Sequence, residues 1–148
     1  MELTTEIEIY ASDQQVWHVL TDFASFPQWN PFIRQASGSL SVGSRLTVRF
    51  QPPGTNGMTF RPTVRTVEPK RELRWLGHFL IPGLFDGDHR FMIEPLTDQQ
   101  VRFIQQERFE GLLVPLLTHQ LNTKIRQGFA AMNQALKSRA EQIEQMIA

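Results

Sequence analysis

The first ten residues alternate in character, with Leu3, Thr5, Ile7 and Ile9 on one face and Thr4, Glu6, Glu8 and Tyr10 on the other. A period of two is that of a strand buried on one side. Ser12, with Gln15 three residues on, has the form of a capping box, and Val16, Trp17, Val19 and Leu20 supply a short apolar helix face ending near Thr21 or Asp22. Asp22 to Phe26 predicts a second short helix. Pro27 and Pro31, around Trp29 and Asn30, end it, because proline lacks an amide donor and restricts the residue before it.

From there to residue 110 the chain reads strand, turn, strand over 32–38, 44–51, 57–68, 72–80, 86–95 and 100–110. The punctuation is Gly38/Gly43, Pro52-Pro53-Gly54, Pro69-Lys70, Pro82-Gly83 and Thr97-Asp98. With the first strand this makes seven, expected to pair antiparallel. The period then changes. Leu113, Leu117, Leu121, Ile125, Phe129, Met132, Leu136, Ile143 and Met146 recur mostly at three- and four-residue steps, while Lys124, Arg126, Lys137, Arg139 and Glu141 lie opposite. That is a long amphipathic helix with one side on the sheet. Pro115 suits its first turn, where a missing donor costs little. Gly128 costs about 1 kcal/mol relative to alanine in a helix interior, which points either to a close backbone approach or to room for a ligand. No repeat or linker interrupts the chain, and 148 residues fit one domain spanning 1–148.

Alternation also assigns the interior. His89, Phe91 and Ile93 share a face; so do Val101, Phe103, Gln105, Glu107 and Phe109; so do Leu73, Trp75, Gly77 and Phe79; and so do Leu46, Val48 and Phe50. Two polar groups, Gln105 and Glu107, therefore join an apolar face. A wall of Phe, Trp and Leu with a few polar groups suits a small-molecule pocket and equally an ordinary core.

The order of strand, two short helices, six strands and a long terminal helix resembles the START-like, or SRPBCC, superfamily, and within it the polyketide cyclase/dehydrase and lipid-transport branch. The likeness rests on Phe26-Pro27-Gln28-Trp29-Asn30-Pro31-Phe32, Glu72-Leu73-Arg74-Trp75-Leu76-Gly77, His89-Arg90-Phe91, Glu107-Arg108-Phe109-Glu110-Gly111-Leu112-Leu113, and the run from Gly128 to Lys137. It implies an α+β helix-grip fold, a seven-stranded antiparallel sheet wrapped around the C-terminal helix, with a void beneath that helix. It does not select an activity, because this fold hosts carriers, sensors, cochaperones and some enzymes.

Fifteen basic residues balance fifteen acidic ones, so no global field draws the protein to nucleic acid or an anionic membrane. The absence of cysteine excludes disulfides, a thiolate nucleophile and cysteine-ligated metals. The start of the chain lacks the basic, then apolar form of a signal peptide, and the longest apolar run, Leu112 to Leu117, falls far short of the roughly 20 residues that span a bilayer. A cytoplasmic protein without integral membrane association is expected, monomer or homodimer.

Glu107 is the leading chemical candidate, because a carboxyl in an apolar pocket drifts towards a raised pKa and can act as acid or base near neutrality. Pairing with His89, Gln105 or an arginine is the plainer role. His89 can orient a ligand carbonyl or relay a proton, or be a satisfied core histidine. Asp86, Asp88 and His89 are close in sequence but lack an established metal-site spacing, and Gly87 between them reads as a turn. No cofactor or metal is expected; nucleophile-elbow and phosphate-loop patterns do not occur. Trp29 and Asn30 either line the cavity entrance or anchor the short helices.

The expected ligand contacts are Trp75, Phe79, His89, Phe91, Phe103, Gln105, Glu107, Leu117, Leu121 and Ile125. The first reading is carriage, sequestration or sensing of a small hydrophobic molecule. A second is a cofactor-independent cyclase or dehydratase using Glu107 and His89. A third is an interaction module, as in cochaperones that activate a heat-shock ATPase, favoured by an exposed apolar patch around Leu80, Ile81, Leu84 and Phe85, which also suit a lid over the cavity mouth.

Overall fold

The computed structural model describes residues 1–79 and 81–147, so Leu80, the last residue of the expected 72–80 strand and part of the expected patch, lies outside the described residues. Strand β1 (Glu2–Ile9) leads into α1 (Asp13–Thr21), whose start is capped by Ser12 Oγ accepting from the Gln15 amide at 3.1 Å. A 3₁₀ turn (Phe23–Ser25) runs into α2 (Phe26–Trp29). Pro27 was expected to end this helix. It instead sits in the first turn of α2, where no intrahelical donor is needed.

Among the described residues, eight strands follow the antiparallel expectation, in two sheets rather than one run of seven. The larger has the order β1-β8-β7-β6-β5 and the smaller β2-β3-β4, with β2 (Ile33–Ser37), β3 (Thr47–Phe50), β4 (Met58–Phe60), β5 (Thr63–Glu68), β6 (Glu72–Phe79), β7 (Phe85–Thr97) and β8 (Gln100–Glu110). The extra strand arises because the expected 57–68 strand breaks at Arg61-Pro62. Proline cannot donate to a ladder, and the chain changes partner there, from β3 to β6. The two sheets remain joined: the Gly43 amide donates to the Val64 carbonyl and the Val64 amide to Ser44, each at 2.8 Å, and the Leu46 amide donates to Pro62 at 2.9 Å. One bent antiparallel surface results.

The terminal helix lies in the concave side of that surface. It is α3 (Val114–Gln120), one π-helical segment (Leu121–Ile125) and α4 (Arg126–Ile147). The apolar stripe of α4 packs on β1, β8 and α1, with Phe129, Met132 and Leu136 fully buried; Met146, expected on this stripe, is exposed. Gly128 is a close approach: a Cβ there would collide with the ring of Phe32. The convex sheet face is a ladder of ion pairs, Arg74–Asp88, Glu72–Arg90 and Glu94–Arg102, each worth little in water but together marking the solvated side.

Candidate functional site

The inner faces are as alternation assigns them: His89, Phe91 and Ile93 on β7, Val101, Phe103, Gln105, Glu107 and Phe109 on β8, and Leu73 and Trp75 on β6 are all buried. Where the π segment crosses the sheet, these walls leave a cavity of ≈ 40 Å³. Its sheet side is Trp75, Phe79, Phe85, His89, Glu107 and Phe109. The smaller sheet and its approach add Phe32, Ile33, Val48, Phe50 and Phe60, and Leu121 and Ile125 form the roof.

Of the expected contacts, Trp75, Phe79, His89, Glu107, Leu121 and Ile125 thus meet at one cavity. Phe91 and Phe103 lie deeper in the packed core, Leu117 is half-buried against that core, and Gln105 stands behind His89 rather than on the wall. The residues that sequence reasoning left out belong mostly to the smaller sheet. The signal for their separate wall was Pro62, which splits 57–68 and lets Phe60 face Phe50 and Phe79, with ring centroids 5.4 and 4.9 Å away.

Two glycines hollow the sheet. Gly77 and Gly87 are cross-strand partners, the ring of Phe60 occupies the space a Cβ on Gly77 would need, and the Glu107 carboxyl occupies that of Gly87. Gly87 was expected in a turn; it is inside β7, and the turn is Ile81 to Leu84, where Gly83 has φ +87°. Asp86 and Asp88 therefore face outwards, Asp86 2.7 Å from His78 and Asp88 paired with Arg74, while His89 faces in. Alternation itself separates the three residues of the Asp-Gly-Asp-His run.

Trp29 and Asn30 do not reach the cavity. Asn30 is fully buried and its Oδ1 accepts from the amides of Phe32 and Ile33 at 3.0 and 2.9 Å, turning the chain into β2, and Trp29 packs edge-on against Phe26. In the expected patch, Ile81 is exposed and Leu84 half-buried, while Phe85 is on the cavity wall.

The polar end of the cavity is a connected chain. His89 Nε2 lies 2.9 Å from Gln105 Oε1; Gln105 Nε2 donates to Asn133 Oδ1 at 2.7 Å and to the Phe129 carbonyl at 3.3 Å; Asn133 Nδ2 donates to Thr5 Oγ1 at 2.9 Å. Asn133 was missed, although it stands four residues after Phe129 on the apolar stripe, a polar group where only apolar ones were expected. On the other side of the ring, His89 Nδ1 is 3.5 Å from Glu107 Oε1. Burial pushes the Glu107 carboxyl up to about 8, with the negative charge of Asp88 adding to the effect. Burial also pulls His89 down to about 4, against the opposing influences of Gln105 and Asp88. Near neutrality both groups are therefore uncharged. Packing agrees, since the His89 ring is stacked on Phe91 at 4.1 Å and lies 4.9 Å from Phe129.

A family model described as polyketide cyclase/dehydrase and lipid transport matches residues 1–141. The chain belongs to this family. The START-like fold of the family is seen in solved structures. One is the Zhui aromatase/cyclase of Streptomyces, with 13% identity and a TM-score of 0.79 over 96% of this chain and 94% of that one. A START superfamily protein of Mycobacterium smegmatis has 23% identity and a TM-score of 0.72 over 96% and 98%. Norcoclaurine synthase of Thalictrum flavum has 15% identity and a TM-score of 0.73 over 97% and 95%. No curated protein matches the chain. Among the described residues, no helix of this family member is long and apolar enough to cross a membrane.

Proposed function

We propose that this domain binds a small, largely apolar molecule in the cavity beneath the π segment, for carriage, sequestration or sensing. The observation that carries the reading is an aromatic-walled hollow ending in two uncharged polar groups, Glu107 and His89. The cavity's ≈ 40 Å³ is room for water, whereas a cavity that admits benzene measures about 150 Å³. Binding therefore displaces part of the wall. The parts suited to move are the half-buried Phe60, Phe79 and Phe85 and the π segment, a helix defect of the kind that recurs at functional sites. Native mass spectrometry of the purified protein, followed by extraction of whatever is retained and titration against hydrophobic libraries, tests this. Retention of an apolar ligand that is lost when Ile125 is replaced by Lys is the expected result. Failure to retain or bind any apolar molecule overturns the proposal.

Acid–base catalysis in the same cavity is favoured by one specific feature, a carboxyl that keeps its proton at neutral pH beside a neutral imidazole. Under that reading Glu107→Gln abolishes turnover of a polyketide-like substrate and leaves its binding nearly intact. Turnover that survives the substitution excludes Glu107 as the acid.

A further inference from the structure

The hydrogen-bond chain behind His89 has a fixed direction, and that direction reaches the cavity. A backbone carbonyl only accepts, so the group of Gln105 that faces the Phe129 carbonyl is its NH₂, and Oε1 is left to face His89 Nε2 at 2.9 Å. An acceptor opposite Nε2 requires Nε2 to carry the hydrogen. In the neutral ring Nδ1 then holds a lone pair, and it is Nδ1 that looks towards Glu107. The carboxyl in turn has a proton to give, yet Oε1 and Nδ1 are 3.5 Å apart, beyond the range of a good hydrogen bond, and among the described residues no other group bonds the carboxyl. Trp75, which is 2% exposed and lines the same cavity, has an indole Nε1 without a partner among the described residues. The cavity thus presents an unmet lone pair beside one unmet donor, the carboxyl.

One kind of oxygen answers both. A hydroxyl accepts from the carboxyl and donates to Nδ1, sitting roughly 2.8 Å from each. An ether or ketone answers the donor and leaves Nδ1 facing a second lone pair. A carboxylate brings charge into an apolar site and has no hydrogen for Nδ1. We propose that the His89–Glu107 end of the cavity recognises a neutral hydroxyl group, as in a phenol, enol or alcohol, on an otherwise apolar ligand, and discriminates against its ether and carboxylate counterparts. Gln105 and Asn133 are positioning residues: they touch no ligand and hold the histidine in the tautomer that makes Nδ1 an acceptor. The inference rests on the cavity being a binding site.

The test is a matched series of phenol, anisole, toluene and benzoate titrated into the full chain at neutral pH, with affinities read from the Trp75 indole resonance. Phenol is expected to bind at least about tenfold more tightly than anisole, the value of roughly one net hydrogen bond, and benzoate most weakly. Nitrogen NMR of the His89 ring is expected to show the Nε2-protonated tautomer. In Gln105→Leu the tautomer preference and the phenol advantage are both expected to shrink while toluene affinity holds, a pattern that mere loosening of the fold does not give. Equal affinities across the series, a preference for benzoate, or an Nδ1-protonated ring overturns this inference while leaving cavity binding in place. If none of the four binds, this inference is overturned, while the cavity reading stands or falls on retention and the wider library titration.

Discussion

The two ends of the groove beneath the terminal helix are walled with the same kind of residue and are packed differently. Under α4, Phe91, Phe103 and Phe129 are at most 1% exposed and belong to the closed hydrophobic core. Under the π segment, Phe50, Phe60, Phe79 and Phe85 are only half-buried and meet one another mostly edge-on, with centroids 4.9–5.8 Å apart. Aromatic content therefore does not create the cavity. What differs is the floor, where the Gly77–Gly87 pair lets the Phe60 ring and the Glu107 carboxyl settle onto the sheet, and the roof, where the π segment replaces regular α-helix. The sharpest way to break the contrast is at the closed end. Phe103→Ala is expected to cost about 3–5 kcal/mol in denaturant unfolding, since a fully buried ring leaves a cavity the surrounding strands cannot close. A loss under 1 kcal/mol means that this end is not close-packed.

The polar end distinguishes the regions through pH. Glu107 binds its proton more tightly in the folded chain, so its contribution to stability is full below its ordinary value of 4.5 and is lost as pH rises to about 8. His89 binds its proton more weakly when folded; its contribution is present above 6.5 and lost as pH falls to about 4. Between 4.5 and 6.5 the two oppose one another, and from about 6.5 to 8 Glu107 acts alone. Over that upper window the native chain should lose on the order of a few kcal/mol relative to Glu107→Gln, which has nothing to ionise. Parallel stability curves for the two proteins between pH 6.5 and 8.5 would falsify the assignment of a neutral Glu107.

Much of this was legible in the chain. Period-two alternation located the inner faces of β1, β3, β6, β7 and β8, including Gln105 and Glu107 among apolar neighbours, because side-chain direction in a strand is a local property. The division between core and cavity was not legible, because Phe91 and Phe79 obey the same alternation and differ only in what covers them. That depends on the path of the smaller sheet, decided at Pro62, and on where the terminal helix departs from α geometry, which leaves no mark in the spacing of Leu117, Leu121 and Ile125. Gly87 was misread for a related reason: glycine between two aspartates suggests a turn locally, whereas its role is to make room for Glu107 across the sheet.

Gly128 sits between the two ends, and its substitution weighs local against tertiary effects. Alanine is the better helix former by about 1 kcal/mol, but its Cβ would meet the Phe32 ring, which itself lies 5.6 Å from Phe129 and on the cavity wall. Overpacking of this kind costs about 1–3 kcal/mol, so Gly128→Ala should be destabilising by about 1 kcal/mol net. A gain in thermal stability would show that Phe32 can swing away, making that ring part of the movable wall.

The effect expected at the open end is smaller than at the closed end and carries the most information about the cavity. Phe79 is half-buried and borders Phe50, Phe60 and Phe85, so its removal exposes little that was dry and leaves neighbours free to settle. Phe79→Ala should cost about 1–2 kcal/mol, less than Phe103→Ala by the same assay, because the transfer and cavity contributions both scale with what was fully enclosed. The same change enlarges a hollow that is too small for a benzene-sized guest, so affinity for toluene should rise rather than fall. Tighter binding at a small loss of stability is a combination the closed end does not give: there, a new void of similar size comes with the full cost of about 3–5 kcal/mol. A Phe79→Ala protein that loses as much stability as Phe103→Ala, and gains no affinity, would mean that the two ends are one continuous core.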